Sequence, residues 1–213
     1  MIHQKIATFY QKNVFAAYSI TVAAFILAVV GIGSLWAVNK YWHPPLLQFT
    51  QSDMAKTVTF DTTAGKFTVA LDANVILPKA QFTRLAVDKF YNQTRVHRIV
   101  PDLLIEMGDP LTKDPTMKHF WGEGGLANAF PNETHKSDVM SEGTVALSSS
   151  GEGTYGSQFF VVTKTTPWLA GKHTIIGHVI RGMDIVHAIE DMPHLPTGLP
   201  VDDVVINAVI INE

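Results

Sequence analysis

Along the 213 residues the spacing of apolar positions changes repeatedly, and each change marks a different kind of element. From Val14 to Val38 the run VFAAYSITVAAFILAVVGIGSLWAV holds no charged residue, and a helix of that length crosses a hydrocarbon layer of ~30 Å. From Lys56 onward apolar and polar positions alternate in short runs. Residues 57–60 and 66–71 flank a turn at Ala64-Gly65, the pattern of a β-hairpin. The spacing then lengthens: Phe82, Leu85, Ala86 and Phe90 recur at helical intervals and Pro78 suits a first helical turn, so residues 77–90 predict an amphipathic helix. Strand-like runs return at 96–100, 103–107, 144–148, 158–163, 175–179 and 204–211, with a second helix over 183–190. Many short strands and only two helices predict a mainly β domain, a closed antiparallel barrel capped by helices, in place of βαβ units.

This pattern divides the chain into a short basic tail (1–13), a transmembrane helix (14–38), a linker with Pro44-Pro45 (39–55) and a folded domain (56–213). Aromatic residues flank the apolar run, with Phe9, Tyr10 and Tyr18 near one end and Trp36, Tyr41 and Trp42 near the other, as expected at two membrane interfaces. A buried core helix is rarely apolar on every side over this length. A cleaved signal peptide is the stronger rival, but its apolar region is shorter, and no clear A-x-A site follows the run. The small excess of positive charge in the tail, Lys5 and Lys12 with the amino terminus, places the folded domain on the extracytoplasmic side, periplasmic or at the cell surface.

Composition narrows the chemistry. The absence of cysteine excludes disulfides, thiolate catalysis and a lipoprotein anchor. From residue 41 onward there are 13 Lys and Arg against 19 Asp and Glu, a net of −6, which argues against a nucleic-acid partner. Asn92 and Asn132 open N-x-T patterns that matter only in a eukaryotic secretory host. Gly151 to Gly156 satisfies G-x-G-x-x-G, but a strand-like run follows it where a dinucleotide site needs a helix, so a tight β-loop is the better reading. With no H-E-x-x-H and no G-x-S-x-G, neither a metal site, a cofactor nor a serine nucleophile is expected.

Two blocks carry a resemblance. FYNQTRVHRIVPDLLIEMGDP at 90–110 resembles the cyclophilin block F-Y-x-x-T-x-F-H-R-x-I-P-x-F-M-x-Q-G-G-D-P. GSQFFVVT at 156–163, then WLAGKH at 168–173 and Gly177, is similar to the second block of that family of peptidyl-prolyl cis-trans isomerases. The likeness runs from about Lys56 to Asn212 and implies an eight-stranded antiparallel barrel capped by two helices, here in a membrane-anchored, bacterial-type member. It further implies that Arg98 is the catalytic arginine. Gln158, Phe160, Trp168, Leu169 and His173 would form the proline-binding cleft, together with Leu103, Leu104, Glu106, Ser148 and Ser149. The implied partners are proline-containing polypeptides and, through Trp168, a cyclosporin-like ligand.

Five of these positions depart from the family pattern. Leu103, Leu104 and Glu106 stand where Phe, Met and Gln are usual, and Ser148 and Ser149 where Ala and Asn are common. A carboxylate at 106 can pair with the guanidinium and compete for its donors, so reduced activity is expected. Two functions are therefore carried forward: an isomerase, and a low-activity proline-binding chaperone or scaffold that uses the same cleft. By strand alternation Gln158, Phe160 and Val162 share one face, and Phe159 and Val161 the other. Read singly, Arg98 is as well explained as a surface residue, Phe160 and Trp168 as core packing, and His97 as a hydrogen-bonded structural histidine.

Overall fold

The computed structural model describes residues 56–126, 130–135, 138–151 and 154–212. The predicted tail, transmembrane helix and linker lie outside these residues. Among the described residues no helix is long and apolar enough to cross a membrane.

Among the described residues nine strands form one antiparallel sheet: β1 (Thr57–Thr62), β2 (Gly65–Leu71), β3 (Arg98–Val100), β4 (Leu104–Met107), β5 (Phe130–Pro131), β6 (Thr144–Gly151), β7 (Thr154–Val162), β8 (Ile175–Arg181) and β9 (Ile206–Asn212). Eight follow the path β3-β4-β7-β6-β8-β2-β1-β9, and β5, too short to show a period in the sequence, pairs with β7. Helix α1 (Leu77–Val87) packs against β9, and α2 (Met183–Glu190) against β2, β3 and β4. The first hairpin is fixed by the cross-strand pair Phe60 and Phe67, whose rings stack at 4.7 Å.

Two expectations need correction. α1 stops at Val87, short of Phe90: Lys89 turns left-handed at φ 57°, and the Phe90 N–H closes back on the Leu85 carbonyl at 2.8 Å. The barrel is also not closed by strand pairing, because β3 and β9 end the path. The chain ahead of β3 leaves strand geometry at Gln93, φ 65°, so the seam is carried by one isolated bridge, Arg95 to Val205. Hydrogen bonds flank that bridge, from Gln93 N to Ile206 O at 2.7 Å and from Ile206 N to Thr94 O at 2.8 Å. The result is a curled sheet, a half-barrel with a hydrogen-bonded seam.

The sheet has two apolar faces, as the alternation in β7 requires. Phe159 and Val161 enter the interior with Phe60, Phe82, Tyr91 and Ile105. Phe160 and Val162 lie in a second cluster with Leu104, Met140, Ala146 and Ile175.

The turn between β3 and β4 is tied down by α2. Glu190 Oε1 accepts from Asp102 N at 2.8 Å and from Thr163 Oγ1 at 2.6 Å, while Glu190 Oε2 faces His187 Nδ1 at 3.2 Å. His187 Nε2 meets Glu142 at 2.9 Å. Hydrogen bonds to Glu142 and then Glu190 raise the His187 pKa above its ordinary value, against a smaller opposing effect of burial. Because the folded state binds this proton more tightly, its contribution is fully present below the unfolded value of about 6.5 and is lost as pH rises through the raised folded value. Urea unfolding at pH 6 and pH 8.5 is expected to show this loss in the wild type and not in His187→Gln. The side chain is 38% exposed, so screening holds the difference below about 1 kcal/mol. Identical pH dependence in both proteins would remove the clamp.

Candidate active site

The site is built on the outer face of four adjacent strands. Register sets Arg98 of β3 opposite Glu106 of β4, Glu106 opposite Phe160 of β7, and Phe160 opposite Ala146 of β6. One row across the sheet thus runs from a guanidinium, through a carboxylate, to an apolar patch. Arg98 Nη1 donates to Glu106 Oε2 at 3.2 Å; the arginine side chain is 51% exposed and the glutamate 13%. The Ser148 hydroxyl donates to the other carboxylate oxygen, Oε1.

On the apolar side, Phe160 packs edge-on against His173 with ring centroids 5.0 Å apart. His173 Nδ1 lies 3.2 Å from the Leu147 carbonyl, and since a carbonyl only accepts, this nitrogen carries the proton. Burial lowers the His173 pKa, outweighing the upward effects of that hydrogen bond and of Glu106. Burial thus favours the neutral ring, which lies against Phe160. Leu104 is buried in the same cluster, and Leu103 and Leu169 pack at its margin. His97 is buried behind the row, and desolvation pushes its pKa down against the pull of Glu106 and Asp109.

On the polar side opens a cleft of about 800 Å³, with Arg98, Glu106, Ser148, Ser149 and Gln158 in its wall. The Gln158 side-chain amide donates to the Gly122 carbonyl at 2.9 Å and to that of Gly124. Of the residues anticipated from sequence, then, five surround this cleft. Phe160, Leu103, Leu104, Leu169 and His173 form the apolar patch beside it. Trp168 belongs to neither group: it stands 62% exposed on the short 3-10 turn Pro167–Leu169.

The remaining wall was not anticipated. Asp109 is fully buried and accepts from Leu111 N at 2.7 Å, from Gly124 N at 3.3 Å and from Gly122 N. It thereby shapes the 122–124 loop, where a Cβ on Gly124 would collide with Asp109 Oδ1 at 2.1 Å. Lys118, His119 and Trp121 extend this wall. Across the cleft Gly198, at φ +88°, lets the 195–199 loop press on β3: a Cβ there would lie 2.6 Å from the Ile99 carbonyl and 3.2 Å from Arg98 Cγ. The glycines at 122, 124 and 125 and the Pro-Thr-Gly at 196–198 were visible as turn signals. Nothing local in the sequence pointed them at Arg98.

In fold the protein is of the cyclophilin class. The crystal structure of a Cryptosporidium parvum cyclophilin type peptidyl-prolyl cis-trans isomerase matches it with a TM-score of 0.66 at 26% identity, covering 75% of this chain and 98% of that one. A crystal structure of the same Cryptosporidium protein in the presence of the dipeptide Ala-Pro gives a TM-score of 0.65 at 26% identity, over 74% of this chain and 99% of that one. A family model described as cyclophilin type peptidyl-prolyl cis-trans isomerase/CLD matches residues 57–211. Peptidyl-prolyl cis-trans isomerase-like 1 of Aspergillus fumigatus is 36% identical over 163 residues, 75% of this chain and 98% of that protein. The chain belongs to the cyclophilin-type peptidyl-prolyl cis-trans isomerase family, and isomerisation of X-Pro bonds is its reaction. These relatives are eukaryotic and lend no support to a bacterial-type origin.

Proposed function

We propose that this isomerase acts on proline-containing polypeptides beside a membrane, with Arg98 as the catalytic residue. The observation that carries the reading is the row Arg98, Glu106, Phe160, which sets hydrogen-bond donors next to an apolar patch. Rotation about an X-Pro bond faces a barrier of ~18–20 kcal/mol because the nitrogen lone pair is delocalised into the carbonyl. A guanidinium that donates to the prolyl nitrogen localises that pair and lowers the barrier, while Phe160, Leu103, Leu104, Leu169 and His173 hold the ring. Ser149 and Gln158 would border the flanking peptide in the cleft. The chemistry requires no cofactor or metal. A cyclosporin-like ligand would use the same face, and Trp168, through which the resemblance implied it, is exposed.

The domain that performs this reaction is read as 56–213, and residues 14–38 as its anchor, held by a basic tail at 1–13 and a linker at 39–55. Support for the anchor is the uncharged apolar run. Tethering would concentrate the enzyme near proteins emerging at the extracytoplasmic face, where slow proline isomerisation limits folding. Full-length protein is expected to stay with membranes through alkaline carbonate extraction; its release into the soluble fraction would remove this part.

A second reading, a proline-binding chaperone or scaffold with weak turnover, is favoured by one observation. Glu106 already occupies a donor of Arg98 at 3.2 Å. The test is the same tetrapeptide measured twice, once for binding and once for turnover with a protease that cleaves only the trans isomer. Glu106→Gln is expected to raise kcat/KM roughly three- to tenfold, by releasing a charge-assisted hydrogen bond from the guanidinium. No increase would mean that the carboxylate does not restrain Arg98.

A further inference from the structure

Two departures from the family pattern meet in space. Ser148 and Glu106 are 42 residues apart in sequence and lie on strands that are not neighbours, since β7 runs between β4 and β6. The Ser148 hydroxyl nevertheless donates to Glu106 Oε1, while Glu106 Oε2 takes Arg98 Nη1 at 3.2 Å. Ser148 is 8% exposed and the Glu106 side chain 13%. The sequence offered no role for this hydroxyl, because alanine is common at its position.

We propose that Ser148 is a positioning residue for the isomerase reaction: its hydroxyl commits one oxygen of Glu106, limits the carboxylate to a single contact with Arg98, and leaves the other guanidinium donors for substrate. The proposal rests on the reading of Arg98 as the catalytic group. A guanidinium presents its N–H donors as a rigid fork, and a carboxylate free to turn engages two of them at once. With Oε1 turned toward the hydroxyl, Oε2 is the oxygen that meets the guanidinium, and the carboxylate is held out of the orientation a two-point grip requires. A glutamine at 106 needs no such restraint, since its amide offers only one acceptor atom and carries no charge. Serine and glutamate together thus approach, without reaching, what an amide does alone. Removing the hydroxyl would strand a mostly buried carboxylate oxygen without that donor, and Arg98, already bound to the other oxygen, has further N–H groups to offer it.

The consequence is a conditional effect: Ser148 matters when residue 106 is glutamate. The experiment uses the full chain in mild detergent, comparing wild type with S148A, S148T, E106Q and the double variant S148A/E106Q. Ser148→Ala is expected to lower kcat about three- to tenfold with KM within about twofold, and to change kcat less than about 1.5-fold in the Glu106→Gln background. Ser148→Thr, which keeps the hydroxyl, should restore turnover to near the wild-type value. A spectroscopic readout accompanies the kinetics: the ¹⁵N–¹H side-chain resonance of Arg98, assigned by its absence in Arg98→Ala, should move on Ser148→Ala only when Glu106 is present. An equal effect of Ser148→Ala in both backgrounds, no effect in either, or an unmoved Arg98 resonance overturns the proposal. Full turnover by Arg98→Ala would instead sink the catalytic reading, and the resonance comparison would then decide alone whether Ser148 holds the pair.

Discussion

Replacing Arg98 by alanine is expected to cut kcat/KM for a prolyl tetrapeptide roughly 30- to 900-fold, the equivalent of about 2–4 kcal/mol of transition-state stabilisation. A loss of that size is what removing a preorganised donor, used most strongly when the bond is twisted, would produce. The loss should fall mainly on kcat, because ring-holding contacts come from the apolar patch around Phe160 and remain. Stability should change little. The arginine is 51% exposed and pairs with Glu106, and a pair of that exposure contributes at most about 1 kcal/mol. Glu106 also keeps its Ser148 donor. Turnover within twofold of wild type, with an unchanged melting temperature, would end the assignment of Arg98 as the catalytic residue.

Phe159→Ala is the matching experiment on the scaffold, with an expected loss of about 3–5 kcal/mol of folding stability. Phe159 is fully buried. Its ring meets Phe60 at 5.4 Å, Phe82 at 5.3 Å and Tyr91 at 5.4 Å, so it joins the first hairpin, α1 and the segment leading to β3. Those groups converge from different parts of the fold and cannot collapse together into the void. Since domains of this size are held by only about 5–15 kcal/mol, the variant should unfold at much lower urea or be recovered unfolded. A shift in the urea midpoint worth under about 1 kcal/mol would mean that the interior repacks freely, against the usual behaviour of large-to-small core changes.

Much of this architecture was legible along the chain. Alternation in 158–162 separated the interior side chains Phe159 and Val161 from the outer-face side chains Phe160 and Val162, and both sets appear in the clusters so divided. The first hairpin and the second helix also followed from spacing and turn residues. The end of α1 did not, because Phe90 keeps helical spacing while its backbone has already turned at Lys89. Closure of the barrel was equally hidden. Whether strand ends pair or merely bridge depends on the dihedral angle at Gln93, to which a hydrophobic pattern is blind.

The cleft shows the same division. Arg98, Glu106, Gln158 and Phe160 were named by the motif blocks they belong to. Asp109 as the organiser of the 122–124 loop, and Gly198 as the residue that lets a loop approach the Arg98 stem, were not.

Local sequence, then, determined which segments become strands and helices and which side chains share a face, because backbone sterics and side-chain burial repeat with short periods. Tertiary structure alone decided that the Glu106 carboxylate, expected from sequence to pair with Arg98, also takes a donor from Ser148 of β6. That arrangement depends on the order of strands in a curled sheet, a relation among residues far apart in the chain that no short-range period encodes.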